Sequence, residues 1–181
     1  MPAIFNHTEV LDCAVRLAKV ARLVGVPILG TEQNPARLGP NVAPVASMCD
    51  RTLAKMHFSA VADGLSDLLV PPHNATPGNA RSLPKHLRRE SEPPVLRRNI
   101  IIAGCEAHIC VLQTALQLLE EEFDVSVVVE ACGSRRERDR DAAFDRLAAN
   151  GVELVTTEML AFEWLRTANH PRFKEVQALI K

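Results

Sequence analysis

Apolar positions along this chain follow two alternating rhythms. Val10, Ala14, Leu17, Ala18, Ala21 and Val24 recur at helical spacing. Thr8 is the expected N-cap of that helix, Glu9 and Asp12 sit near its positive end, and Gly25 is its stop. Residues 26–31 then read as a strand with Pro27 at its entry, where no ladder donor is lost. The polar run Glu32-Gln33-Asn34-Pro35 follows at the carboxyl end of that strand. Residues 36–50, with Gly39, Pro40 and Pro44, predict a loop over the sheet edge. Residues 52–59 are a short strand or an extended segment carrying Lys55 and Phe58, and residues 61–70 read as a helix weakened by Gly64. Pro71, Pro72, Pro77, Pro84, Pro93 and Pro94 make residues 71–96 a long irregular connection. A solvated linker is the simpler reading of it; a lid using Lys85, Arg88 and Arg89 to grip an anionic substrate is the alternative.

The second half is more sharply patterned. The unbroken run Ile100-Ile101-Ile102-Ala103, stopped by Gly104, predicts a strand buried on both faces of a parallel sheet. After a turn over 104–107, helical spacing sets in at Ile109 and continues through Val111, Leu112, Ala115, Leu116 and Leu119. Cys110 falls in the first helical turn, where orphan N–H groups and the helix dipole favour a thiolate. It also reads as a small packing residue, and Cys105 and Cys132 occupy similar strand-end places. Residues 125–130 predict another strand, and Ser134-x-x-Glu137 is a capping-box pattern before a helix over 138–150 closed by Gly151. A strand at 152–155, a helix at 157–168 and a last helix opened by Pro171 complete the pattern. Strands alternating with helices mean an α/β fold, a parallel sheet covered on both sides, with ligands bound beyond the strands' carboxyl ends. That rule gathers Glu32, Cys105, Glu106, Cys110 and Ala131 around one crevice, joined by Lys55 if its segment is a strand.

Composition narrows the chemistry. With 181 residues, 47% of them hydrophobic, the chain suits one domain with a proper core. A net charge of −1, one Trp and no Tyr give no basic face or stacking platform for nucleic acid. No apolar run approaches the length of a membrane span. Five scattered cysteines without a CxxC pair or a signal peptide point to the cytoplasm rather than a disulfide scaffold.

The segment IIAGCEAHICVLQTALQLL resembles the nucleophile segment of the isochorismatase-like hydrolases, a superfamily that includes nicotinamidases and N-carbamoyl amide hydrolases. VPILGTEQNPARLGP, LAKMHFSA, SVVVEACGSR and TTEMLAFEWLRTANHPRFKEVQALIK look like the isochorismatase-domain branch, so the similarity runs essentially from Pro2 to Lys181. The resemblance implies a single three-layer α/β/α sandwich, doubly wound around a mostly parallel sheet, working on a small-molecule substrate and commonly as a homo-oligomer. Of the family's Asp, Lys and Cys, it implies Cys110 as nucleophile and Lys55 as the group holding the thiolate. It also implies a cis peptide at Cys105–Glu106, aiming the N–H of Glu106, with that of Cys110, at an oxyanion. Glu32, Gln33, Phe58 and His108 fall around the pocket.

The family's Asp ends a first strand that has no match after Met1-Pro2. The expectation is therefore that Met1 is an internal methionine, with the family's start upstream. Asp12 lies within the first helix, facing away, and Glu32, Glu106 and His108 are the nearby groups to weigh as a substitute base; each also has a plain loop-bonding or helix-start role. The nicotinamidase branch holds a metal with Asp and His where this chain has Glu32-Gln33-Asn34, and none of the six histidines shows His-x-His or HExxH spacing. The expectation is no metal, no cofactor and no nicotinamidase-type activity. Three functions follow: a cysteine hydrolase of small amides or related compounds, a catalytically impaired binding or oligomerisation module, and a redox-responsive protein using Cys110 and Cys105.

Overall fold

The computed structural model describes Met1, residues 3–69 and residues 99–181. The proline-rich connection, and with it the lid or linker reading, lies outside the described residues. Among the described residues five strands and eight α-helices follow in the order α1 (His7–Val24), β1 (Leu29–Gln33), α2 (Pro35–Leu38), α3 (Ala43–Ala46), β2 (Arg51–Lys55), α4 (Leu65–Leu69), β3 (Asn99–Cys105), α5 (Leu112–Glu120), β4 (Asp124–Gly133), α6 (Glu137–Ala149), β5 (Glu153–Val155), α7 (Thr157–Leu165) and α8 (Phe173–Ile180). All strand pairs are parallel. Among the described residues the sheet comes in two pieces, β1 beside β2 and β3-β4-β5 in that order.

Alternation along β4 builds two apolar layers. Val125 and Val127 point into a cluster with Leu118 and Ala115 of α5 and Leu147 and Ala143 of α6. Val128 points the other way, onto Cys13 and Leu17 of α1 and Leu160 of α7. Beyond them, Val20, Ala161, Leu165 and Val176 join α1, α7 and α8. Helices therefore cover both faces, and the expected α/β sandwich is the fold. At the end of β4, a Cβ on Gly133 would stand 2.6 Å from Ile4 Cγ2, so only glycine lets the N-terminal segment cross there. That crossing is closed by Phe5 N donating to Ser134 O at 3.0 Å.

Several boundaries depart from the pattern. Asn6, in the left-handed region (φ 51°), caps α1, and Thr8 lies inside the helix. β1 starts at Leu29 rather than Val26, because Pro27 has no N–H and Ile28 N donates to Asp50 Oδ2 at 2.8 Å. Glu32 and Gln33 are thus strand residues. The supposed loop 36–50 contains α2 and α3, and the expected helix 61–70 is a 3-10 turn (Val61–Asp63) and α4, separated by Gly64 at φ 94°. Ile100, Ile101 and Ile102 are half-buried and Ala103 is exposed, although the run reads as fully buried: among the described residues β3 has one strand neighbour, β4.

Candidate active site

Lys55 ends β2 and Gln33 ends β1, and the parallel register pairs them directly. Paired residues present side chains to the same face, which is why the two meet. Lys55 is only 3% exposed. Its ammonium donates to Gln33 Oε1 (2.5 Å), Phe58 O (2.8 Å) and His57 O (3.0 Å). All three acceptors are neutral oxygens. A buried cation held this way is hydrogen-bonded yet has charge to offer an anion.

Cys110 lies in a π-helical turn (Ala107–Val111) that links β3 to α5. Its Sγ–H points to the same Gln33 Oε1, at 3.9 Å. Lys55 and Cys110 are therefore brought together on one amide oxygen. Immediately before the turn, the Cys105–Glu106 peptide is cis.

The π turn is braced from the loop after β4. Glu106 Oε2 accepts from Arg135 Nε (2.9 Å) and Arg135 N (3.1 Å). Ser134, 1% exposed, uses its hydroxyl on His108, accepting from the backbone N–H at 3.4 Å and meeting Nδ1 at 2.9 Å. The hydroxyl expected to cap α6 is thus spent on the site, and α6 starts at Glu137 behind Arg136 with no side-chain cap. Glu32 Oε1 accepts from Asn41 N at 2.9 Å. The three groups weighed as a replacement base all hold neighbouring loops.

The segment after β2 is fixed as firmly. Ser59 Oγ donates to Gln117 Oε1 (2.7 Å) and Ala60 N to Thr114 Oγ1 (3.0 Å), docking it on α5. Phe58 contributes its carbonyl to Lys55 while its ring is largely exposed. Asp63 accepts from Met56 N (3.0 Å) and His57 N (2.9 Å) and meets His57 Nδ1 at 3.0 Å. The His57 ring and backbone bonds hold the Asp63 carboxyl below its ordinary range. Neither Asp63 nor Ser134 was marked as a site residue by the sequence. An acid early in a helix serves the dipole equally well, and a serine before Glu137 mimics a cap.

Burial pushes Cys132 up to about 12 and raises Cys13, Cys49 and Cys105. Among the described residues no group of three or more His, Cys, Asp or Glu side chains could hold a metal ion. No described helix is long and apolar enough to cross a membrane.

Comparison with known proteins gives one consistent answer. The mouse isochorismatase domain-containing protein 2A is 37% identical over 180 residues, covering 99% of this chain and 76% of its own. A Caenorhabditis elegans structure described as MAR1 ribonuclease superposes with a TM-score of 0.81 at 31% identity, covering 99% of this chain and 82% of that one. The Escherichia coli YcaC gene product, described as an octameric hydrolase of unknown specificity, shares the fold (TM-score 0.69, 22% identity, 96% of this chain and 81% of that one). The isochorismatase domain model matches residues 2–159. The chain belongs to the isochorismatase-domain family of hydrolase-like proteins.

Proposed function

We propose that this chain is a cofactor-independent cysteine hydrolase of a small amide-like or related substrate, with Cys110 as nucleophile and Lys55 as its charge partner. The observation that carries the reading is the sharing of Gln33 Oε1 by the Lys55 ammonium and the Cys110 sulfur. In the proposed step the Cys110 sulfur, as thiolate with the Lys55 ammonium as counter-charge, attacks the substrate carbonyl. The C–N bond breaks, the amine leaves with the proton the thiol gave up, and a thioester remains on Cys110. Water then cleaves the thioester, releasing the acid and restoring the thiol. The N–H groups of Glu106 and Cys110 are assigned to the oxyanion.

Alkylation by iodoacetamide at pH 7, followed by peptide mass spectrometry, tests the pair. Cys110 is expected to react ahead of Cys105 and Cys132, and Lys55→Ala to slow it several-fold. Equal rates in the two proteins would sink the proposal.

A second reading, a catalytically impaired module for binding or oligomerisation, draws support from Glu32, Glu106 and His108 being engaged with Asn41, Arg135 and Ser134. A panel of small amides separates the two: thioester formation at Cys110 without turnover favours the impaired form, and turnover lost in Cys110→Ala favours the hydrolase. RNA belongs in the same panel because the C. elegans relative is described as a ribonuclease. With a net charge of −1, this chain is expected to leave it intact. Assembly as a homo-oligomer is part of the proposal, supported by the description of the E. coli protein as octameric.

A further inference from the structure

The oxygens around Lys55 are themselves held from outside the site. The peptide joining Met56 to His57 donates through His57 N to Asp63 Oδ2 at 2.9 Å. The carbonyl of that same peptide, Met56 O, accepts from Gln33 Nε2 at 2.7 Å. The other end of the Gln33 amide, Oε1, accepts from Lys55 Nζ at 2.5 Å. A carboxylate, a peptide, a side-chain amide and an ammonium thus stand in one hydrogen-bonded row. Each amide lies with its N–H toward the negative end and its oxygen toward the positive end. Aligned dipoles between opposite charges polarise one another, and each link strengthens the next. The row also fixes which end of the Gln33 amide faces Lys55, because Met56 O can receive only the Nε2 end. A second path runs through the same turn: Met56 N also donates to Asp63, while His57 O and Phe58 O accept from Lys55.

We infer that Asp63 is a positioning residue for the Cys110–Lys55 pair, acting through the 56–57 peptide and Gln33 as a remote counter-charge for the buried ammonium. The inference rests on the assignment of Cys110 and Lys55 made above, and it extends the machinery by one residue, Asp63. Asp63 touches neither the sulfur nor the ammonium in any contact described. Its effect is to hold residues 56–58 as a crown of carbonyls and to keep Gln33 Oε1 aimed at both groups. Without it the turn has no anion to organise its N–H groups, and Lys55 loses the geometry that keeps it out of water.

Reductive methylation of lysines, read at Lys55 by peptide mass spectrometry, reports the positioning directly. Asp63→Ala is expected to raise Lys55 methylation by about tenfold, the scale of one lost charge-assisted hydrogen bond. The same variant is expected to slow Cys110 alkylation as much as Lys55→Ala does, with no further slowing in the double variant. A merely structural role for Asp63 would give additive effects instead. Asp63→Asn keeps one oxygen for the two backbone N–H groups and is expected to give a smaller change in the same direction; it carries the comparison where alanine fails to fold. Wild-type protection of Lys55 in folded Asp63→Ala or Asp63→Asn overturns the inference, as do additive rates in the double variant. Should Lys55→Ala leave Cys110 alkylation unchanged, the pairing of Lys55 with Cys110 falls, while Lys55 methylation still reports whether Asp63 holds the lysine.

Discussion

The two pieces of the sheet are stabilised by different physics. β3, β4 and β5 lie between two apolar layers, with Leu118, Leu147, Val127 and Val128 fully buried. β1 and β2 have little such cover: Gly30 is the one buried residue of β1, and Lys55 the one of β2. What anchors this smaller piece is a set of carboxylates taking backbone N–H groups. Asp50 holds Ile28 N and Arg22, Glu32 holds Asn41 N, and Asp63 holds Met56 and His57. Apolar packing is non-directional and insensitive to pH, whereas carboxylate anchoring is directional and fails when the acid is protonated. The proposed site straddles the boundary, with Lys55 and Gln33 on the carboxylate-held side and Cys110 on the packed side.

The largest expected effect tests the packed side. Leu118→Ala, at a fully buried position on α5, should cost about 2–5 kcal/mol by denaturant unfolding. Leu53→Ala, on the partly buried β2, should cost clearly less. Equal losses would erase the distinction between the two pieces.

Acid tests the other side. Asp50 is held below its ordinary value of 3.8 first by the Ile28 N–H, and Asp63, below the same value, first by the His57 ring. A carboxyl lowered on folding contributes stability that is complete above its unfolded value and lost as pH falls through the folded one. Below about pH 4, protection factors from amide exchange should therefore drop at Ile28, Met56 and His57 while those of β4 persist. Simultaneous loss in both pieces would break the comparison.

The smallest effect sharpens it. Thr157 Oγ1 is buried without a hydrogen-bond partner among the described residues, a polar defect on the packed side. Thr157→Val should raise stability by about 1 kcal/mol, read as a higher Tm. A lower Tm would mean that this side relies on polar contacts after all.

The sequence made the packed side far easier to read than the other. Periodicity placed α1, β3, α5 and β4 because apolar burial is what periodicity records. Residues 26–55 resisted for the same reason. The start of β1 depends on Ile28 giving its N–H to Asp50, twenty-two residues away, and no local pattern encodes that. Ser134 shows the limit of a motif: spacing to Glu137 suggests a cap, but a histidine twenty-six residues upstream takes the hydroxyl. Cys110 and Lys55 stood out through the family resemblance, whereas Asp63 needed coordinates, since its importance lies in which peptide it holds. The run at Ile100 reads as an interior strand, and its composition does not say which strands stand beside it.

The β3 edge has a consequence for handling the protein. Among the described residues β1 and β3 each have one strand neighbour and turn a row of amide and carbonyl groups away from it, and the β3 row is flanked by three isoleucines. Such a row is a template for any extended chain with free backbone groups, including another molecule of the same kind. An edge of this kind left bare would make purified protein scatter light increasingly with concentration, and a lysine or proline placed on it, rather than a larger core, is the change expected to keep it clear.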